Sequence, residues 1–144
     1  VYVLPVSGRP EGENVTLSVQ NASTEVKVIP DGAAIRYVFR IQCEAEVLEE
    51  FMPGNLSVEE IRGAERQLEQ VIESETKRAL AASVELGCDA AGLGRLTQKR
   101  CPDQIRGQED IWTERLKDCV FEVQASVRIT KIGAESGGAP RPVV

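Results

Sequence analysis

Residues 35–47 and 121–130 alternate apolar and polar side chains with a period of two, and residues 57–87 between them carry a helical period. This pairing of patterns constrains the chain more than any other feature. In the first segment Ile35, Tyr37, Phe39, Ile41, Cys43, Ala45 and Val47 share one face, and Arg36, Arg40, Gln42, Glu44 and Glu46 share the other. In the second, Phe121, Val123, Ala125, Val127 and Ile129 alternate with Glu122, Gln124, Ser126, Arg128 and Thr130. Alternation of this kind predicts strands with one covered and one wet face, the usual signature of an antiparallel sheet. A parallel α/β fold is disfavoured.

The helical stretch opens on Ser57-Val58-Glu59-Glu60, which has the form of a capping box, after a break at Pro53-Gly54-Asn55. Val58, Ile61, Ala64, Leu68, Val71, Ile72, Ala79, Ala82, Val84 and Leu86 supply its apolar stripe, and Gly87 is a natural stop. About thirty helical residues span about 45 Å, the length of a fourteen-residue strand, so the helix covers the strand end to end. Upstream, 15–20 alternate and 24–29 are β-branched around Asn21-Ala22-Ser23, which reads as a hairpin or two short adjoining strands before a turn at Pro30-Asp31-Gly32. Two short helices are expected near 90–99 and 108–116. The fold class is α+β: an antiparallel sheet of about four strands, one long helix packed on one face and short helices at the end.

The domain boundaries follow from the same reading. Residues 1–13 are punctuated by Pro and Gly and read as a linker or arm from a preceding domain. Residues 14–133 form the domain, and 134–144, rich in Gly and Pro, a flexible tail. The start at Val1 rather than Met reads as the interior of a longer protein, in which case any targeting signal is expected upstream.

Histidine is absent, which removes the commonest general base and metal ligand and weakens an enzymatic reading. A net charge of −6 repels phosphate backbones, so nucleic acid is not an expected partner. Cys43, Cys88, Cys101 and Cys119 lack C-x-x-C spacing, and neither a metal nor a cofactor is implied. Cys43 and Cys119 fall on apolar strand positions. Cys88 and Cys101 bracket a loop, where a disulfide in an oxidising compartment would add on the order of 3 kcal/mol; free thiols are the default reading.

Asp89 reads as a cap on the turn that follows, against the alternative of a contact for a ligand or partner. Gly92 and Gly94 read as turn glycines, since no strand and no further glycine completes a dinucleotide fingerprint. Trp112, the sole Trp, reads as core rather than an exposed anchor. The pairs Glu49-Glu50 and Glu59-Glu60 read as solvated. The polar face with Arg36, Arg40, Glu44, Glu46, Glu122 and Arg128 mixes both signs, consistent with cross-strand pairing or with a protein-docking surface.

Over residues 14–133 the order Asp89, Gly92-Leu93-Gly94, Pro102, Trp112 and an alternating run that ends in Arg128-Ile129-Thr130-Lys131-Ile132-Gly133 resembles the C-terminal domain of GerAC-type (Ger(x)C) spore germinant receptor C subunits. The resemblance implies a non-enzymatic module of a spore germination lipoprotein needed for nutrient-triggered germination. It implies integral-membrane A and B subunits as partners. It also implies a lipid anchor, absent from this stretch, that holds the full-length protein to the outer surface of the spore inner membrane. Two roles are open under it: a scaffold that docks other receptor components, and a module that binds an amino acid or sugar germinant. Six aromatics in all favour the scaffold, because ligand pockets lean on aromatic walls.

Overall fold

β-branched and aromatic residues at alternate positions make 34–47 the backbone of the sheet, and the computed structural model, which describes residues 1–48, 55–132 and 141–142, sets this strand in its middle. Five strands lie in the order β1 (Tyr2–Pro5), β2 (Asn14–Asp31), β3 (Ala34–Val47), β4 (Val120–Ile132) and β5 (Arg141–Pro142). Between β3 and β4 come α1 (Val58–Glu85), α2 (Leu93–Arg100) and α3 (Trp112–Leu116), with single 3₁₀ turns at Pro102–Gln104 and Glu109–Ile111. The α+β class and the long helix stand as the sequence predicts.

Strand direction differs from expectation. The Ile35 backbone hydrogen-bonds the Cys119 thiol, and two residues on, Tyr37 stacks on Phe121 with ring centroids 5.8 Å apart. Positions rise together along β3 and β4, so the pair is parallel and the sheet is mixed. Alternation reports which faces are covered, not which way a neighbour runs. A parallel pair needs a long crossover, and α1 to α3 supply it.

Two other expectations change. The hairpin or two short adjoining strands read around Asn21-Ala22-Ser23 are instead one continuous strand over 14–31, because nothing in Asn-Ala-Ser forces the chain to break or reverse. Part of the 1–13 arm is strand, with Tyr2 opposite Leu17 and Pro5 opposite Asn14, and with Leu4 and Val6 buried. Gly133, Pro53, Gly54, the pair Glu49-Glu50 and 134–140 lie outside the described residues.

The chain divides into two compact units. The first comprises 1–24, 41–72 and 125–144. Its core joins Leu17 of β2, Cys43, Ala45 and Val47 of β3, Val127 and Ile129 of β4, and the α1 stripe Ile61, Ala64, Leu68 and Ile72. Steps of three and four place those helix residues on one face. The capping box closes at both ends: the Glu60 amide donates to Ser57 Oγ at 3.1 Å, and the Ser57 amide donates to Glu60 Oε1 at 3.0 Å. Glu60 also pairs with Arg9, whose Nη2 donates to Glu60 Oε1 at 2.9 Å and to the Asn55 carbonyl at 2.8 Å.

The second unit comprises 25–40 and 73–124. Here Ile35, Tyr37, Phe39, Leu80, Leu93, Trp112 and Leu116 are buried. The stripe expected at Ala79, Ala82 and Leu86 is exposed, and Leu80 is the buried residue, because the inward face advances in steps of four from Ile72.

Candidate functional site

The motif residues meet in the second unit, and the end of α1 sets their geometry. Gly87 adopts a φ of +69°, its N–H donates to the Val84 carbonyl at 3.0 Å, and the Cys88 N–H donates to the Ser83 carbonyl at 2.9 Å. This is a Schellman motif, which requires a left-handed residue and so selects glycine. The Ser83 hydroxyl holds the exit path by donating to the Cys88 carbonyl at 2.6 Å. Asp89 emerges pointed at the start of α2.

There its carboxylate does what Gly92, the N-cap residue with no side chain, cannot. Oδ1 accepts the Leu93 N–H at 2.7 Å and Oδ2 accepts the Gly94 N–H at 2.7 Å. Two of the unsatisfied donors of the first helical turn are thereby paired with a negative charge, which the helix dipole favours. Oδ2 also accepts the indole N–H of Trp112 at 3.2 Å. Gly94 permits this closeness, since a Cβ there would lie 2.7 Å from Trp112 Nε1 and 3.1 Å from Asp89 Oδ2. Gly92 has φ +68°, a conformation that lets the chain turn into α2 without strain.

Around this knot the polar groups are also paired. Thr97 Oγ1 donates its proton to the Leu93 carbonyl at 2.7 Å, so the 2.6 Å contact between Tyr37 and Thr97 has the tyrosine as donor. Burial pushes the Tyr37 hydroxyl up to about 12. Arg115 donates to the Gln104 carbonyl, and its guanidinium sits 5.8 Å from the Trp112 ring centroid. Pro102 starts the 3₁₀ turn that ends before Ile105. Cys88 is exposed and Cys101 half-buried, and neither is in a disulfide in this structure; Cys43 and Cys119 are likewise free. Burial raises the thiol pKa of both Cys43 and Cys119, which therefore behave as small hydrophobes.

A second feature lies in the first unit, on the wet face of the sheet. Asn21, Ser23, Gln42, Glu44, Ser126 and Arg128 line a groove of about 410 Å³. Asn21 Nδ2 donates to Glu44 Oε2 at 3.0 Å. Arg128 makes no ion pair or side-chain hydrogen bond among the described residues. In the second unit Arg36 pairs with Asp31 at 3.8 Å, and Glu122 accepts from Gln124 at 3.0 Å. Among the described residues no group of three or more His, Cys, Asp or Glu is placed to hold a metal ion, and no helix is long and apolar enough to cross a membrane.

Sequence reading missed three contributors. Arg9 sits in a segment read as an arm, with no pattern pointing to Glu60. Glu65 and Glu69 accept the N–H groups of Ile129 and Val127 at 2.8 and 2.9 Å. Their only signal is two acidic residues four apart flanking the apolar stripe.

The fold is thus of the α+β class, a mixed sheet whose parallel pair is joined by a helical crossover that carries an Asp-Gly-Trp knot. The chain belongs to the family described as spore germination B3/GerAC like, C-terminal, whose model matches residues 1–133. It is thus a C-terminal domain of germinant receptor C-subunit type. The crystal structure of the GerBC protein has the same fold, with a TM-score of 0.75 over 89% of this chain at 17% identity. The chain spans 40% of the length of that protein. No curated protein matches it.

Proposed function

We propose that this domain is a non-enzymatic scaffold of a germinant receptor, needed for nutrient-triggered germination, which docks a polypeptide segment of another receptor subunit on the wet sheet face of its first unit. The observation that carries this reading is Arg128. It lines an open polar groove opposite Glu44 and has no partner of its own within the described residues, so its charge is available to a carboxylate. In the second unit Asp89 is taken up by two amides and an indole, Tyr37 by Thr97, and Thr97 by the Leu93 carbonyl. In the intact protein the integral-membrane A and B subunits are the partners, and a lipid anchor outside this chain holds the assembly at the outer surface of the spore inner membrane.

A photo-cross-linking residue at Gln42 or Ser126 of the full-length protein, activated in spores, tests this. Cross-links to another receptor subunit support docking, and a protein that cross-links to nothing there rules it out.

The same groove gives a second reading, since an arginine and a glutamate that share a cavity without pairing suit a small zwitterion such as an amino acid germinant. Calorimetry of the chain against amino acids and sugars separates the two. Heat abolished by Arg128→Ala favours ligand binding, and no heat with any of them favours the scaffold.

A further inference from the structure

The two borders of the sheet are finished differently. On the β4 side, Glu65 and Glu69 occupy backbone N–H groups of Ile129 and Val127, and β5 pairs at Lys131 and Ile132. On the other side, β1 covers β2 only from Asn14 to Leu17. The later part of β2, residues 25–29 in the second unit, has no strand on its outer side among the described residues. A bare edge of this kind presents unpaired N–H and C=O groups to any extended chain.

The side chains there are specific about what fits. Glu25 and Lys27 are exposed, lie two apart on the same face, and neither has a salt bridge or side-chain hydrogen bond among the described residues. Two residues apart along a strand is about 6.6 Å, and among the described residues the two do not pair with each other. A second copy laid antiparallel, with the two-fold axis at Val26, brings Glu25 of each chain directly opposite Lys27 of the other. Val26 then meets Val26, and Val28 meets Thr24. Directly opposed charges of unlike sign stabilise a strand pair, and like charges oppose it. The sequence Glu25-Val26-Lys27 is self-complementary in this one register.

From this we infer that the β2 edge at 25–29 is a homodimer contact, in which two copies of the chain join by antiparallel strand addition about Val26. The inference is separate from the docking groove, which lies in the first unit. A closed two-fold contact uses the same patch on both partners and ends there, so it also removes the edge from further addition.

Charge reversal tests the register. In sedimentation velocity over a range of concentrations, the full chain is expected to shift from monomer to dimer, while Glu25→Lys alone and Lys27→Glu alone each remain monomer. An equimolar mixture of these two variants restores the dimer, because one carries two positive and the other two negative edge charges. The double variant Glu25→Lys/Lys27→Glu restores it too. Circular dichroism of each variant checks that the fold is retained. A chain that stays monomeric at every concentration overturns the inference, and so do single reversals that dimerise as the parent does or a mixture that fails to associate.

Discussion

The Glu69 carboxylate on α1 accepts the backbone N–H of Val127 on β4 at 2.9 Å, and one helical turn away Glu65 does the same for Ile129. The match is metric. Four residues of helix rise about 6.0 Å and two residues of strand about 6.6 Å, so a carboxylate at every fourth helix position meets an N–H at every second strand position. The helix and β4 run in opposite directions, as the order of the two pairs requires.

Replacing Glu69 by Ala therefore strips an acceptor from an edge N–H. A loss of about 1.5–3 kcal/mol is expected in urea denaturation, the range for a bond to a charged acceptor. Glu69→Gln keeps an oxygen in place and loses less. Amide exchange at Val127 should quicken in Glu69→Ala and less so in Glu69→Gln; unchanged exchange would show that the contact does not form.

Gly94→Ala forces a methyl to within 2.7 Å of the Trp112 ring nitrogen. The ring is held by Asp89 and packed in the core, so the expected cost is about 1–3 kcal/mol, an overpacking penalty. Emission from Trp112, the single tryptophan, should change as the indole is displaced. Wild-type stability and emission together would contradict the closeness of the knot.

The Arg9 guanidinium, and after it the Ser57 amide, hold Glu60 down to about 2 against an ordinary value of 4.5. A carboxyl lowered by folding stabilises the fold above its unfolded pKa and loses that contribution as pH falls. The acid side of the stability curve should therefore steepen between about 4.5 and about 2. Arg9→Met flattens that slope, whereas an identical slope in the variant would exclude the pair as its source.

Tyr37 has the opposite sign. Its pKa rises from 10.0 to about 12 through burial, so its contribution is complete below about 10 and disappears as pH passes through about 12. In a Tyr2→Phe background, spectrophotometric titration should show ionisation of Tyr37 only in that upper range. A midpoint near 10 would mean that the ring is solvated.

Much of this was legible locally. Ser57 and Glu60 announce the helix start, Gly87 its end, and the alternation at 35–47 one covered face, because each depends on residues within a turn or a strand of one another. The direction of β4 was not legible, since it is decided by a crossover of more than seventy residues between β3 and β4. The continuity of β2 through Asn21-Ala22-Ser23 was missed because small polar residues permit a turn without requiring one. Asp89 reads as a cap from its neighbours, but its bond to Trp112 joins positions 23 apart. Arg9 and Glu60 are 51 apart, and no period or spacing connects them.

The docking claim rests on Arg128, and its charge reversal is the most direct test. The measurement is nutrient-triggered germination of spores carrying Arg128→Glu in the full-length protein, beside the thermal midpoint of the purified variant. The residue is exposed and makes no ion pair or side-chain hydrogen bond among the described residues, so the midpoint should stay within a few degrees, while germination with nutrients falls and germination by a trigger that bypasses the receptor does not. Wild-type nutrient germination in spores that contain the folded variant at normal level would contradict the account.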